Sequence, residues 1–298
     1  MTAPLLIAMP GNEHLAAQLA SALGFDLGHF ETRQFPDGET YLRFITNPDG
    51  RSIALVCTLD HPNDKMLPLI FSAATARELR ASKVGLISPY LAYMRQDRRF
   101  KPGEAVTSRQ VARLLSEAFD WLVTVDPHLH RYGSLGEIYT ITTRVVHAAP
   151  LISQWIKSNV TNPLIIGPDS ESEQWVSAVA RDAGAPYSVL EKVRHGDRDV
   201  EIKLKNLDKW RGSAPVLVDD IISGGRTMLE AVRLLAARGW SQPICIAVHG
   251  LFADGSDTLL EQAGARIVTS NSVPHRTNDL NTGSILASPI GELAASDR

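Results

Sequence analysis

The sequence is poor in the features that mark several large classes of protein. It has 2 cysteines, Cys57 and Cys245, with no Cys-x-x-Cys spacing. Both stand in apolar, strand-like runs, and two such lone residues read as buried thiols of a reducing cytoplasm rather than as a disulfide framework. No apolar run approaches the ~18–20 residues that a membrane span needs. The opening Met1-Thr2-Ala3-Pro4 carries no basic start of a signal peptide, so no membrane association is expected and the expected location is cytoplasmic. Neither sign of charge dominates: Lys and Arg number 30 against 33 Asp and Glu, a formal net charge of −3. That balance gives no reason to expect a nucleic-acid partner. Low-complexity segments and short-period repeats are absent as well. What remains is 44% hydrophobic and 21% charged, the composition of a globular protein. The 298 residues suit two domains of about 150 each.

One stretch organises the rest. Ala214-Pro215-Val216-Leu217-Val218 is a β-branched run that ends in adjacent carboxylates, Asp219 and Asp220. Ile221, Ile222 and the small turn Ser223-Gly224-Gly225 follow, and from Thr227 the apolar spacing is helical. A strand–loop–helix unit with bare backbone at the helix start directs several N–H groups at one point, which suits a phosphate. The carboxylates beside it can hold sugar hydroxyls either directly or through Mg²⁺.

The first half repeats a strand–helix grammar. Leu5–Met9 reads as a buried strand, and Asn12 is placed to cap a helix over Glu13–Leu23. Phe35-Pro36-Asp37-Gly38-Glu39 contains a turn signal, since Pro fixes φ and Gly accepts positive φ. Strands are expected at Ile53–Cys57 and Val84–Ser88, with a helix opening at Asn63-Asp64 between them. After Pro89-Tyr90 comes a polar loop dense in cations, Arg95-Gln96-Asp97-Arg98-Arg99-Phe100-Lys101, closed by Pro102-Gly103-Glu104. In a slightly acidic protein, that density at a strand end is better explained by a polyphosphate ligand than by a solvated loop. Thr107 or Ser108 is expected to cap a helix over Arg109–Ala118. Strand Trp121–Val125 then delivers Asp126-Pro127-His128-Leu129-His130. A lone His is more often structural, but this one follows a strand of the kind whose carboxyl end holds ligands in open α/β sheets.

The second half opens near Pro150 with the same grammar. Strand Asn162–Gly167 ends in Pro168-Asp169, and a helix is expected over Ser170–Arg181. Strand Tyr187–Leu190 delivers Glu191-Lys192-Val193-Arg194, and Asp199–Leu204 alternates as an edge strand. Later elements are a strand at Ile244–Val248, a helix at Asp257–Ala263, the segment Thr269-Ser270-Asn271-Ser272-Val273-Pro274 and a closing helix at Pro289–Ala295.

Taken in order, these stretches resemble the ribose-phosphate diphosphokinases, and the resemblance covers nearly the whole chain. It implies an α/β fold of two tandem phosphoribosyltransferase-like domains, each a mostly parallel sheet flanked by helices, here over 1–147 and 148–298. The activity implied is transfer of the diphosphoryl group of ATP to the 1-hydroxyl of ribose 5-phosphate. Phe-x-Asp-Gly-Glu is similar to the adenine-contacting loop of that family, which reaches into a neighbouring subunit. Phe35 would then stack on adenine, Asp37 and Glu39 would read its amino edge, and the protein would be at least a homodimer. Arg95-Gln96-Asp97 resembles the family's flexible catalytic loop, with Met94 in place of the usual Ala, and Arg-Phe-Lys-Pro-Gly-Glu resembles its archaeal-type continuation. Asp126-Pro127-His128 is similar to the family's Asp-Leu-His, which would make His128 a ligand of Mg²⁺ alongside the ATP phosphates, and Pro168-Asp169 is similar to its Ser-Pro-Asp, which would make Asp169 a second carboxylate on the metal side. Lys192, Arg194 and Arg95 would neutralise charge on the transferred group, while Gln96 and Asp97 help to hold the nucleotide. Asp219, Asp220, Ser223, Gly224, Gly225, Arg226 and Thr227 would hold ribose 5-phosphate.

The chain departs from the family in two places. Arg131-Tyr132-Gly133-Ser134-Leu135 replaces the usual Gln-Ile-Gln-Gly-Phe-Phe, and His130 is an extra residue without an assigned part. In the phosphate loop Gly224 stands where Thr is expected and Arg226 where Gly is expected. If that position needs positive φ, Arg226 is strained. Arg226 either reaches the 5′-phosphate or alters the acceptor, which leaves two alternatives: an enzyme of another sugar phosphate, or a non-catalytic regulatory homologue. Release of AMP from ATP separates an enzyme from the regulatory homologue, and the acceptor spectrum separates the two enzymes.

Overall fold

The computed structural model describes residues 3–168, 172–194, 200–204, 207–240 and 242–295, with backbone alone at 174, 191–194, 200–204 and 207–208. The chain forms two compact units, Met1–His147 with Thr282–Arg298, and Ala148–Asn281.

The first unit is built on β1 (Leu5–Ala8), β2 (Asp26–Gly28), β5 (Ser52–Val56), β6 (Lys83–Ser88), β7 (Trp121–Val125) and β8 (Thr142–Val146). They form one parallel sheet in the order β2-β1-β5-β6-β7-β8. The inner strands read as unbroken apolar runs because helices cover both faces of such a sheet. Trp121 is fully buried, and a Cβ at Gly85 on the neighbouring strand would lie 2.0 Å from its indole, so only Gly fits there. Around the sheet lie α1 (Glu13–Leu23), α2 (Pro62–Glu78), α3 (Thr107–Ala118) and α8 (Gly283–Ala295). A separate antiparallel hairpin, β3 (Phe30–Gln34) and β4 (Thr40–Phe44), projects between β2 and β5 in the chain.

The second unit carries β9 (Pro163–Gly167), β10 (Tyr187–Arg194), β11 (Val200–Leu204), β12 (Ala214–Ile222), β13 (Ile244–Gly250), β14 (Arg266–Ser270) and β15 (Asn278–Leu280). Their order is β11-β10-β9-β12-β13-β14-β15, parallel except for the antiparallel β10–β11 pair at one edge. Its helices are α4 (Ala149–Asn159), α5 (Glu173–Ala183), α6 (Arg226–Ala237) and α7 (Ser256–Gln262). Leu217 and Cys245 of the sheet pack with Ala231, Val232 and Leu235 of α6 in the core of this unit.

Three expectations are corrected. The last helix, placed with the second domain, packs instead on α1, β5, β6 and β7 of the first unit, where Leu286, Ile290 and Leu293 are buried. It also starts earlier than Pro289, at Gly283, because a half-buried Pro inside the helix costs one backbone bond while the apolar face continues through it. Asn12 stands at the N-cap position of α1, as expected, but its side chain makes no capping bond: its Oδ1 accepts from the Thr58 N–H at 2.9 Å and its Nδ2 donates to the carbonyls of Met9 and Pro10. It ties the end of β1 to the end of β5, a bond to a distant strand in place of a local one.

Candidate active site

The β3–β4 hairpin presents Phe35. Its turn is closed by Phe35 N–H to Glu39 O at 2.8 Å and Gly38 N–H to Phe35 O at 2.9 Å, with Gly38 at φ 92°. Asp37 Oδ1 accepts the Glu39 N–H at 3.2 Å, a bond that fixes the acidic tip. Phe35, Asp37 and Glu39 are all exposed. The Arg33 guanidinium carbon lies 4.7 Å from the Phe35 ring centroid and 4.4 Å from that of Tyr41, so the cation rests on both rings. The hairpin thus offers an aromatic surface with carboxylates beside it, which suits a base with an amino edge.

The cation-rich loop is folded on itself. Arg95 is exposed and Gln96 half-buried, while Met94 and Asp97 are buried. Glu104 Oε2 accepts the N–H groups of Phe100 (2.7 Å) and Lys101 (3.0 Å), and Arg99 Nε donates to Glu104 O at 2.9 Å. The expected caps of α3 act otherwise. Thr107 is already helical and its Oγ1 donates to Gln96 Oε1 at 3.0 Å, while the buried Ser108 Oγ meets Tyr132 Oη at 3.2 Å. The Asp97 carboxylate, expected among the ATP-binding groups, accepts two hydrogen bonds from Arg131 Nη1, at 2.9 and 3.0 Å, and its side chain is 1% exposed.

At the end of β7 the chain turns sharply through Asp126 at φ 31°, a left-handed conformation that strains a residue with a side chain. Asp126 Oδ1 lies 2.7 Å from His147 Nδ1, just past β8. That hydrogen bond, with the carboxylate's charge, raises the His147 pKa although partial burial opposes it. The turn delivers His128, half-buried, and His130, exposed, with ring centroids 3.9 Å apart. His147 has no local signal in the sequence, because its partner lies 21 residues away.

In the second unit, Asp219 and Asp220 are half-buried on β12, and Asp220 N–H donates to Asp219 Oδ1 at 3.0 Å. The positive φ of the loop falls on Gly225 (64°), while Arg226 is the first residue of α6. The strain expected at Arg226 therefore does not arise. Gly225 stands at the cap of the helix and offers no side-chain acceptor to its first-turn N–H groups, the arrangement that suits an anion. Ser256 packs over the loop: its Oγ donates to Ser223 O at 2.9 Å, and a Cβ at Gly225 would come within 2.9 Å of Ser256 Cβ. Behind it, Arg276 bridges Asp257 and Glu261 at 2.7 and 2.5 Å. Burial works to raise the Asp257 pKa, but the Thr258 N–H and Arg276 outweigh it and hold the carboxyl below its usual range. Lys192 and Arg194 lie on β10 opposite Ile202 and Val200, and their side chains, like the whole of Asp169, lie outside the described residues.

Residues 5–118 match the profile of the N-terminal domain of ribose phosphate pyrophosphokinase, and residues 134–282 that of the phosphoribosyl transferase domain. A ribose-phosphate pyrophosphokinase of Sulfolobus acidocaldarius is 35% identical over 266 residues, covering 88% of this chain and 90% of its own. The chain belongs to the ribose-phosphate pyrophosphokinase family. A second ribose-phosphate pyrophosphokinase, from Methanopyrus kandleri, is 34% identical over 294 residues, 97% of this chain and 99% of its own. The fold agrees: the crystal structure of phosphoribosylpyrophosphate synthetase from Mycobacterium smegmatis superposes with a TM-score of 0.83 at 25% identity, covering 97% and 98% of the two chains. The two sheets with their flanking helices are therefore those of a ribose-phosphate pyrophosphokinase. Residues 119–133, which include His128 and Arg131, fall between the two matched stretches.

Proposed function

We propose that the chain makes 5-phosphoribosyl 1-diphosphate and AMP from ATP and ribose 5-phosphate. The observation that supports this best is family membership along the chain, joined to a phosphate loop whose positive φ rests on Gly225 at the start of α6. The oxygen on C1 of the sugar attacks the β-phosphorus of ATP in line, a bond to that phosphorus forms, and AMP departs with the bridging oxygen. The protein contributes positioning and charge neutralisation rather than covalent chemistry.

Phe35 stacks on adenine while Asp37 and Glu39 accept from its amino edge. Arg95 and Gln96 hold the phosphates. Lys192 and Arg194, delivered by β10, meet the charge that grows on the transferred group. N–H groups of Ser223–Thr227, the Thr227 hydroxyl and the Arg226 guanidinium hold the 5′-phosphate, and Asp219 and Asp220 hold the ribose hydroxyls. In the first unit the half-buried imidazole of His128 at a strand end is a donor that suits Mg²⁺. His128 and Asp169 are the residues that would hold the ion, which would neutralise phosphate charge; the half-buried carboxylates of Asp219 and Asp220 hold the ribose hydroxyls or a second ion. The exposed Phe35 hairpin serves the site of a second copy, so the working form is at least a homodimer, placed in the cytoplasm.

The test is release of AMP from ATP and Mg²⁺, with and without ribose 5-phosphate, with ³¹P detection of product. AMP together with a phosphoribosyl diphosphate signal is the expected result. ATP binding without AMP release would sink the catalytic reading in favour of a regulatory one, and AMP release only with another sugar phosphate would change the acceptor. Lys192→Ala should lower kcat by about 10²- to 10³-fold with the melting temperature unchanged, since it removes a charge-stabilising group.

A further inference from the structure

We infer that Arg131, with Tyr132, is a positioning residue for the nucleotide: it latches the Arg95–Asp97 segment to the His128 segment. The inference rests on the proposed ATP-side parts of Arg95, Gln96 and His128, and assigns a part to residues where the chain departs from its family.

Arg131 follows His128 by three positions and its Nη1 bonds both oxygens of Asp97, at 2.9 and 3.0 Å. Asp97 follows Arg95 and Gln96 directly, so one charge pair joins the two segments that face the phosphates. The pair is strongly one-sided in exposure: the Arg131 side chain is 42% exposed and that of Asp97 1%. A carboxylate so buried is committed to its partner, since an unpaired charge there would be far costlier. It serves the loop and not the ligand. Tyr132 adds a second tie. Its hydroxyl donates to Asp97 O at 3.1 Å, and it meets Ser108 Oγ at 3.2 Å and Arg109 Nε at 3.4 Å. The first turn of α3 is thereby joined to the same point. Gln96 is held from the other side by Thr107, and the Arg131 guanidinium carbon lies 5.5 Å from the Phe100 ring centroid. The Asp97, Gln96 and Phe100 contacts end on the loop that carries Arg95, and the Ser108 and Arg109 contacts anchor Tyr132 to α3. Loosening Arg131 should therefore misplace ATP and leave the sugar phosphate alone, because the ribose-phosphate loop belongs to the other unit.

The experiment compares Arg131→Met, Asp97→Asn and the double variant with the wild type in the full chain. Arg131→Met should raise KM for ATP and lower kcat/KM about 10- to 100-fold, as small misplacements do, with KM for ribose 5-phosphate within about twofold. Trypsin should cut after Arg98 and Arg99 faster than in the wild type. The double variant should be no worse than either single one, because both break the same pair. Should Arg131→Met not fold, Arg131→Lys, which keeps the charge but replaces the planar guanidinium by a compact, strongly hydrated ammonium, takes its place and should fall between wild type and Asp97→Asn. An unchanged KM for ATP, or equal loss for both substrates with a lower melting temperature, overturns the latch. Additive losses in the double variant overturn it too, since Asp97 would then act on ATP itself. Failure of the underlying ATP assignment is separate: it would show as wild-type ATP kinetics in Arg95→Ala.

Discussion

Gly224 and Gly225 are neighbours of identical chemistry, but the fold uses them differently. Gly225 takes φ 64° and has Ser256 where a Cβ would go, whereas a Cβ at Gly224 meets nothing within 4 Å. Gly225→Ala should cost about 1–3 kcal/mol through backbone strain alone and raise KM for ribose 5-phosphate, as chemical denaturation and kinetics would show. Gly224→Thr should leave stability within about 0.5 kcal/mol and lower that KM, since it adds a hydroxyl at an open position of the loop. His147 gives a pH-dependent counterpart. Its pKa is raised in the folded state, first by the hydrogen bond to Asp126. A raised value means that the stabilisation is fully present below the ordinary imidazole pKa of 6.5 and is lost as pH rises through the folded one. His147→Asn should therefore lower stability in chemical denaturation more at pH 6 than at pH 9, and by no more than the ~1 kcal/mol of a largely exposed pair. The cysteines behave oppositely in reactivity: burial pushes both thiols up to about 12, so neither should react with a thiol reagent in the folded protein.

At the scale of the element, α8 shows what a sequence hides. Leu286→Ala should destabilise by about 2–5 kcal/mol, because the side chain is fully buried against the first unit. A chain ending at His147 should melt without cooperativity, and one that also carries 282–298 through a short linker should regain it. Calorimetry of the two would decide. The strand ends that carry Asp126-Pro127-His128 and Asp219-Asp220 were legible from the sequence because strand, turn and helix signals there lie within a dozen residues of one another. The allegiance of α8 was not, since its apolar stripe suits any sheet face, and only the packing selects the one beneath it. The same holds for side chains. Arg131, His147 and Ser256 bond to partners 21 to 34 residues away, and Ser108 and Asn12 left their expected local caps for such partners. Spacing reports neighbours on one element; it carries no trace of a bond between two.

For the whole molecule the prediction concerns sharing. If the exposed Phe35 hairpin serves another copy, Phe35→Ala and Lys192→Ala each abolish most turnover, but mixing the two after subunit exchange should restore part of it. A mixed pair has one site with both groups intact. Mixtures that stay as inactive as their components would mean that each copy uses its own hairpin. Sedimentation of the wild type should give at least a dimer.

The return of α8 to the first unit also sets a timetable for synthesis. Every residue of the second unit has been added to the chain by Asn281, while the first unit still lacks the helix that closes it. On that order of emergence the second unit should close first, the reverse of the usual sequence in which the N-terminal domain folds first. The apolar face that α8 covers stays bare until that helix has been added, so a chain cut short before Gly283 would leave a finished second unit attached to an unfinished first.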